Sequence, residues 1–130
     1  MKGDKRMIDF TNKTIFKLSK AKPESVTKEI TPLMIAGEEI IGVYSSLRDH
    51  VVFTNKRIIA VNVQGMIGKK RDFTILPYSK VQTFSIETAS TFDLDSELEL
   101  HFSSLGSVKF EFTGSNEVIK IGQLISQYIL

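Results

Sequence analysis

The sequence contains no cysteine among its 130 residues. This absence excludes disulfide frameworks, zinc sites built on thiolates and cysteine nucleophiles. Long apolar runs are also missing, because stretches such as LMIA and RIIAVNV are far shorter than the roughly 20 residues of a membrane-spanning helix. The N-terminus, MKGDKRMIDF, has basic residues with no apolar stretch after them, which argues against a cleaved secretory signal. These absences predict an intracellular protein in a reducing cytoplasm.

A large charge of one sign is missing as well. The chain has 17 Lys and Arg against 15 Asp and Glu, a formal net charge of +2. A dedicated nucleic-acid binder carries a stronger basic footprint, so the charge balance argues against a nucleic-acid partner. With 42% hydrophobic and 25% charged residues, the composition is typical of one globular domain that folds on its own.

The N-terminal segment, residues 1–34, has apolar residues at helical spacing. This spacing predicts a first helix, with Ile8, Thr11, Ile15 and Leu18 on one side. Pro23 then suits the first position of a second, short helix, whose predicted buried residues are Val26, Ile30 and Leu33. Pro32 limits the length of this helix and Gly37 ends the segment.

From Glu39 onward, short β-rich runs alternate with turn residues, which predicts about seven antiparallel strands. The clearest alternation, DLDSELELHF, predicts one core face with Leu94, Leu98, Leu100 and Phe102 and one polar face with Asp93, Asp95, Glu97, Glu99 and His101. An amphipathic helix is predicted from Glu117 to about Tyr128. This order indicates an α+β domain, and the absence of βαβ alternation excludes a Rossmann-like sheet.

Residues 35–130 contain the elements FTNKR, QG…GKK, PYSK, FDLD and EL, followed by EVIKIGQLISQYIL. In order and spacing these elements resemble the bacterial pleckstrin-homology-like family, long catalogued as a domain of unknown function. The resemblance implies a barrel of two near-orthogonal antiparallel sheets closed by a C-terminal helix, preceded by a helical segment. It also implies bacterial, ring-forming homo-oligomers without an established catalytic activity.

The stretch QGMIGKKRDF combines two glycines with three basic residues. It is not a P-loop, because Val63 stands where the first glycine belongs and Lys70 where the hydroxyl belongs, and a strand follows. A β-hairpin connection is the favoured interpretation. The alternative is a patch that binds phosphate or an anionic membrane surface, formed by Lys56, Arg57, Lys69, Lys70 and Arg71.

The acidic residues of the alternating strand, Asp93, Asp95, Glu97 and Glu99, lack the glycine and the loop of an EF-hand. We therefore predict no metal site, and interpret these residues as a polar edge or a subunit interface. In a ring with head-to-tail contacts, this face would meet the Lys69 loop of the next subunit. His50 and His101 have no nucleophile or metal-ligand spacing near them, which argues against catalysis.

The sequence thus predicts a non-enzymatic oligomerisation and protein-interaction module of the bacterial cytoplasm, with no cofactor. The alternative function is binding of phosphate or of an anionic membrane surface through the basic loop, which would fade steeply with rising ionic strength.

Overall fold

The strands of the β-rich region follow the alternation in the sequence. A computed structural model describes residues 14–46, 49–64, 70–92, 94–103, 105–114 and 118–130. In β7 (Ser96–Phe102), every second residue is buried, as expected for a strand with one face against a core. The remaining strands are β1 (Thr14–Lys20), β2 (Ile40–Ser46), β3 (Asp49–Thr54), β4 (Arg57–Gln64), β5 (Lys70–Pro77), β6 (Thr83–Glu87) and β8 (Gly106–Phe112).

All eight strands belong to one mixed sheet, in the order β5-β4-β3-β2-β1-β8-β7-β6. Neighbouring strands are antiparallel except β1 and β8, which run parallel. Hydrogen bonding is continuous across β1, so the predicted pair of separate, near-orthogonal sheets is not confirmed. Within the described ranges, β5 and β6 are the outer strands of this sheet.

Strand β1 corrects the prediction for the N-terminal segment. Residues 14–18 pair with residues 108–112 of β8, and Ser19 and Lys20 pair with β2. The predicted helix is therefore wrong for residues 14–20, and residues 1–13 lie outside the described ranges. One physical reason is that the β-branched and aromatic residues at the start of TIFKLSK favour a strand. The other is that the partner strand lies about ninety residues away in the sequence, so that a local pattern cannot indicate the pairing.

In place of the second predicted helix, the structure has a series of short helical turns. Pro23–Ser25 and Thr31–Leu33 are 3₁₀ turns on either side of α1 (Thr27–Ile30). Val26 and Ile30 are buried on the outer face of the sheet, in a cluster with Val43, Val52, Ile59 and Val61. The helical turns are thereby docked on β2, β3 and β4.

A larger cluster fills the inner face of the sheet, where α2 (Val118–Ile129) closes it. Its centre contains four rings in edge or tilted contact, with centroids 4.9 to 5.9 Å apart, contributed by Tyr44, Phe53, Phe110 and Phe112. Because these rings come from β2, β3 and β8, they join the two halves of the sheet across β1. No helix within the described ranges is long and apolar enough to cross a bilayer.

Helix α2 matches the predicted helix to within a residue at each end. Its buried residues include Val118, Ile121 and Ile125, together with Gly122. A Cβ atom at Gly122 would lie 2.3 Å from Cδ1 of Ile86 in β6. The helix therefore sits directly on the outer strand β6, at a distance that only glycine permits without movement of Ile86.

We predict that Gly122→Val lowers the free energy of unfolding by about 1 to 3 kcal/mol, because its added methyl groups overpack the contact with Ile86. Urea denaturation followed by far-ultraviolet circular dichroism measures the change. Gln123→Val, on the exposed side of the same helix, is the control that introduces the same valine side chain without a contact to Ile86. Equal destabilisation by the two variants would contradict the close packing of α2 on β6.

Candidate functional site

The outer faces of β6, β7 and β8 carry a row of carboxylates. In the strand register Glu87 lies opposite Glu97, and Glu97 lies opposite Glu111. One position along, Glu99 lies opposite Lys109. The side chains project outward because the alternate residues of β7 and β8 are buried in the core. We call Glu87, Glu97, Glu99 and Glu111 the acidic face.

One lysine offsets part of this charge. Lys109 Nζ lies 3.3 Å from Glu97 Oε1, and this hydrogen bond raises the pKa of Lys109. Like charges directly opposite each other on neighbouring strands are destabilising. The row from Glu87 through Glu97 to Glu111 is therefore unfavourable in an isolated subunit, and Lys109 relieves it only in part.

The opposite outer strand, β5, begins with basic residues. Lys70 is exposed, and Arg71 forms an ion pair with Glu29 of α1. This ion pair holds α1 against the outer edge of the sheet. We call Lys70 and Arg71 the basic edge. Lys69, the third basic residue of the predicted loop, lies outside the described residues.

The structure does not bring together the four predicted anion-binding residues that it describes. In the β4–β5 hairpin Arg57 lies opposite Pro77, whereas Gln64 lies opposite Lys70. Lys56 and Arg57 are therefore at one end of an eight-residue strand and the basic edge is at the other, roughly 20 Å away at the rise of a β-strand.

Arg57 is part of a buried polar network. Its guanidinium donates to both carboxylate oxygens of Glu38, at 2.8 and 3.0 Å, and to the carbonyl of Leu33 at 2.6 Å. The hydroxyl of Thr54 donates to the same carboxylate at 2.7 Å. The side chain of Glu38 is fully inaccessible to solvent, and its hydrogen bond to Arg57 is the main reason that its pKa is lowered to about 2.

The β3–β4 turn (residues 54–57) also connects distant parts of the chain. The side chain of Asn55 accepts from the backbone N–H of Glu39 and donates to the carbonyl of Gly37. The carbonyl of Asn55 accepts from the hydroxyl of Tyr128, near the end of α2. Arg57 and Asn55 thus tie the N-terminal turns and α2 to the sheet, which is a structural role.

The remaining acidic candidates lie at the start of β7. Asp95 precedes the strand, and its carboxylate accepts from the backbone N–H of Gly114 at 3.1 Å. Leu94 was predicted to be in the core, but it is 67% exposed, so that prediction is wrong. The reason is that β7 begins only at Ser96. Asp93 lies outside the described residues.

The two histidines are on different strands. Nδ1 of His101 lies 2.8 Å from the hydroxyl of Ser107 across the β7–β8 pair. Nδ1 of His50 is buried without a hydrogen-bond partner in the described part of the chain. Among the described residues, neither arrangement includes a carboxylate that orients the imidazole, as nucleophilic catalysis by a triad requires. The described part of the chain also contains no cluster of metal-ligating side chains.

The structure adds two acidic residues that the sequence does not mark. Glu87 lies beside Glu97 only through the strand register. Glu38 lies nineteen residues before its partner Arg57, and no local pattern marks such a pair. The alternation of charges in β7 and β8 was sufficient to predict the outward direction of Glu97 and Glu99, which the structure confirms.

Comparison with known proteins identifies relatives of this fold. Residues 9–129 match the family model described as Bacterial PH domain. The chain is 36% identical over 104 residues to the uncharacterized protein YjqA of Bacillus subtilis, covering 78% of this chain and 83% of that protein. Two crystal structures are also similar, and both contain a pleckstrin-homology domain.

The first is a DUF1696 family protein with a pleckstrin-homology domain from Shewanella loihica PV-4. It is 33% identical, with a TM-score of 0.70 over 88% of this chain and 99% of that chain. The second is a pleckstrin-homology domain from Shewanella amazonensis SB2B, 34% identical with a TM-score of 0.58, covering 86% of this chain and 91% of that chain. The fold is therefore pleckstrin-homology-like, with β1 as an integral strand of the sheet.

We predict that Glu38→Gln lowers the free energy of unfolding at pH 7 by on the order of 3 kcal/mol, because it leaves Arg57 without its buried counter-charge. The folded pKa of about 2 lies below the ordinary value of 4.5. The stabilisation by Glu38 is therefore complete above pH 4.5 and is lost as the pH falls through about 2.

Urea denaturation at a series of pH values from 7 to 2 tests this prediction. The difference in free energy of unfolding between the wild type and Glu38→Gln should shrink as the pH falls towards 2. Protonation of Glu38 removes the negative charge from the wild type, and the variant already lacks this charge. Glu39→Gln, an exposed neighbour, should behave like the wild type throughout. A constant difference between the wild type and Glu38→Gln would show that the buried ion pair is not the source of the stability.

Proposed function

Since this chain belongs to the bacterial PH domain family, we propose that it is a non-enzymatic module that assembles with copies of itself and presents the assembly to other proteins in the bacterial cytoplasm. The observation that carries the proposal is the pair of dissimilar outer strands, β5 and β6, at the two ends of one open sheet. The relatives named above carry no enzymatic name, which agrees with a binding role.

Outer strands offer backbone groups to another chain. Among the described strands, β5 and β6 each pair with one neighbour, and the other edge of each presents backbone N–H and C=O groups on which a further strand can form hydrogen bonds. Because β5 and β6 are different strands, their pairing between subunits is heterologous, and such head-to-tail contacts generate a ring when the rotation closes. If β5 of one subunit pairs with β6 of the next and the rotation closes, the assembly is a ring-shaped homo-oligomer.

The charges on the two strands are complementary. Lys70 and Arg71 begin β5, whereas Glu87 ends β6 beside Glu97. An antiparallel pairing of β5 with β6 of the next subunit brings the basic edge next to these carboxylates. It would relieve the like-charge row across β6, β7 and β8, which is unfavourable in the single subunit. This arrangement supports the expected contact between the acidic face and a basic surface of a neighbour.

Binding of phosphate or of an anionic membrane surface is less well supported. Arg57 is already bound to Glu38, and Arg71 to Glu29. Arg57 would have to break its buried ion pair before it could bind another anion, whereas Arg71 is partly neutralised by Glu29 whether it meets a phosphate or a neighbouring subunit. Lys56 and Lys70 are at opposite ends of the β4–β5 hairpin, so these two described lysines do not belong to one phosphate site.

We predict that Glu87→Lys, and Arg71→Glu in a Glu29→Gln background, each weaken self-association roughly threefold to tenfold, because Arg71 and Glu87 lie on the same outer face and each change replaces an attraction between subunits by a repulsion. In the Glu29→Gln background, the double variant Arg71→Glu/Glu87→Lys exchanges the charges and should recover much of the association at every contact of the ring. Sedimentation velocity over a range of concentrations measures the association constants. Lys120→Glu, on the exposed side of α2, is the matched control for the change in net charge.

A wild type that stays monomeric at all concentrations would overturn the proposed assembly. If the wild type assembles and the double variant associates no more tightly than the single variants, then β5 and β6 are not the contacting strands. Co-sedimentation with vesicles containing phosphatidylserine tests the alternative function. If the protein does not self-associate but binds these vesicles, and Lys70→Glu abolishes the vesicle binding, the result would favour binding to an anionic membrane surface.

A further inference from the structure

We propose that Phe92 and Leu94, in the loop between β6 and β7, form an apolar anchor that inserts against a second copy of this chain. The inference rests on the proposed self-assembly and adds a specific contact to it. Phe92 is 99% exposed and Leu94 is 67% exposed. Two large apolar side chains at adjacent alternate positions are more than the scattered exposure that any surface shows, and they indicate an interaction site.

The loop is held in place at both ends. It continues directly from β6, where Ile86 packs against Gly122 of α2. At its other end, the carboxylate of Asp95 accepts from the backbone N–H of Gly114. The two apolar side chains are therefore presented from a loop with fixed ends, which reduces the conformational entropy lost when they bind.

The charges around the loop determine which surface it fits. Glu87 precedes it, and Asp95 follows the two apolar residues. Anionic lipid headgroups would be repelled by these carboxylates, so the loop does not suit an acidic membrane surface. The basic edge at the start of β5 in another copy has the complementary charge, and an antiparallel pairing of β5 with β6 puts that end of the neighbour next to the residues that follow Glu87.

The area needed for a stable contact supports the same partner. A specific interface buries about 800 Å² on each partner, and β6 contributes only five residues. A phenylalanine alone brings on the order of 200 Å². Strand pairing along β6 therefore buries too little area for a stable assembly by itself. In the proposed contact, Phe92 and Leu94 supply the buried aromatic and aliphatic centre that such interfaces need.

Tryptophan at position 92 provides a direct test, because the chain contains no tryptophan. As the concentration of Phe92→Trp rises through the association range, its emission maximum should shift to shorter wavelength. Its fluorescence should also become less sensitive to quenching by acrylamide. The matched control is Leu105→Trp, because Leu105 lies in the β7–β8 turn and is 43% exposed. This variant should keep the emission of a solvent-exposed indole at all concentrations.

The paired functional test is Phe92→Ser/Leu94→Ser, which should raise the dissociation constant of self-association at least tenfold in sedimentation velocity, whereas Leu105→Ser should not. Circular dichroism should show an unchanged fold, since the replaced side chains are exposed. If the wild type assembles and the double serine variant assembles equally well, the anchor is overturned and the proposed assembly stands.

Three other results would also count against the anchor. A wild type that remains monomeric overturns both the assembly and the anchor. An equal effect of Leu105→Ser would mean that general surface hydrophobicity, and not this loop, drives association. A wavelength shift of Phe92→Trp with phosphatidylserine vesicles at a protein concentration where the protein alone gives no shift would assign the loop to a membrane surface and overturn the second copy as its partner.

Discussion

The parallel pairing of β1 with β8 is the constraint on which the rest of the structure depends. β1 lies between β2 and β8, and residues on both sides of it contribute rings to one aromatic cluster. Through β1 the strands form one continuous sheet with two different ends. The position of β1 also directs the chain onto the outer face, where Val26 and Ile30 cover β2 to β4. Without this strand, the sheet would have additional edges at β2 and β8.

The polar connections of the β3–β4 turn reinforce the same arrangement. Arg57 and Asn55 bind the segment that leads into β2, and the hydroxyl of Tyr128 binds the carbonyl of Asn55. Burial raises the pKa of Tyr78, whose hydroxyl remains a donor to the carbonyl of Thr54 at 2.7 Å. A turn with these roles stabilises the fold, and the proposed function uses the two outer strands and the loop after β6.

Local patterns were sufficient to predict β2 to β8 and α2, for different reasons. β7 and β8 alternate in burial and α2 has a helical period, whereas β3 and β4 are short apolar runs that are buried on both faces and bounded by turn residues. β1 could not be predicted in the same way, since Ile15 and Leu18 fit a helical spacing and the deciding partner, β8, is remote in sequence. The resemblance to a known family supplied the barrel-like fold. The acidic face was predicted in part, since Glu97 and Glu99 alternate with buried residues, whereas Glu87 joins it only through the strand register. The sequence offered Arg57 only as part of an alternative anion-binding patch, and no local pattern marks its buried partner Glu38.

Pairing of β5 with β6 between copies is the central claim, and backbone hydrogen exchange measures it most directly. Mass spectrometry after deuterium labelling reports the exchange of peptides that cover residues 70–77 and 83–87 at low and high protein concentration. The account predicts that both peptides exchange more slowly at high concentration, while the central strand β3 exchanges equally at the two concentrations. Unchanged exchange in both outer strands of an assembled protein would contradict it.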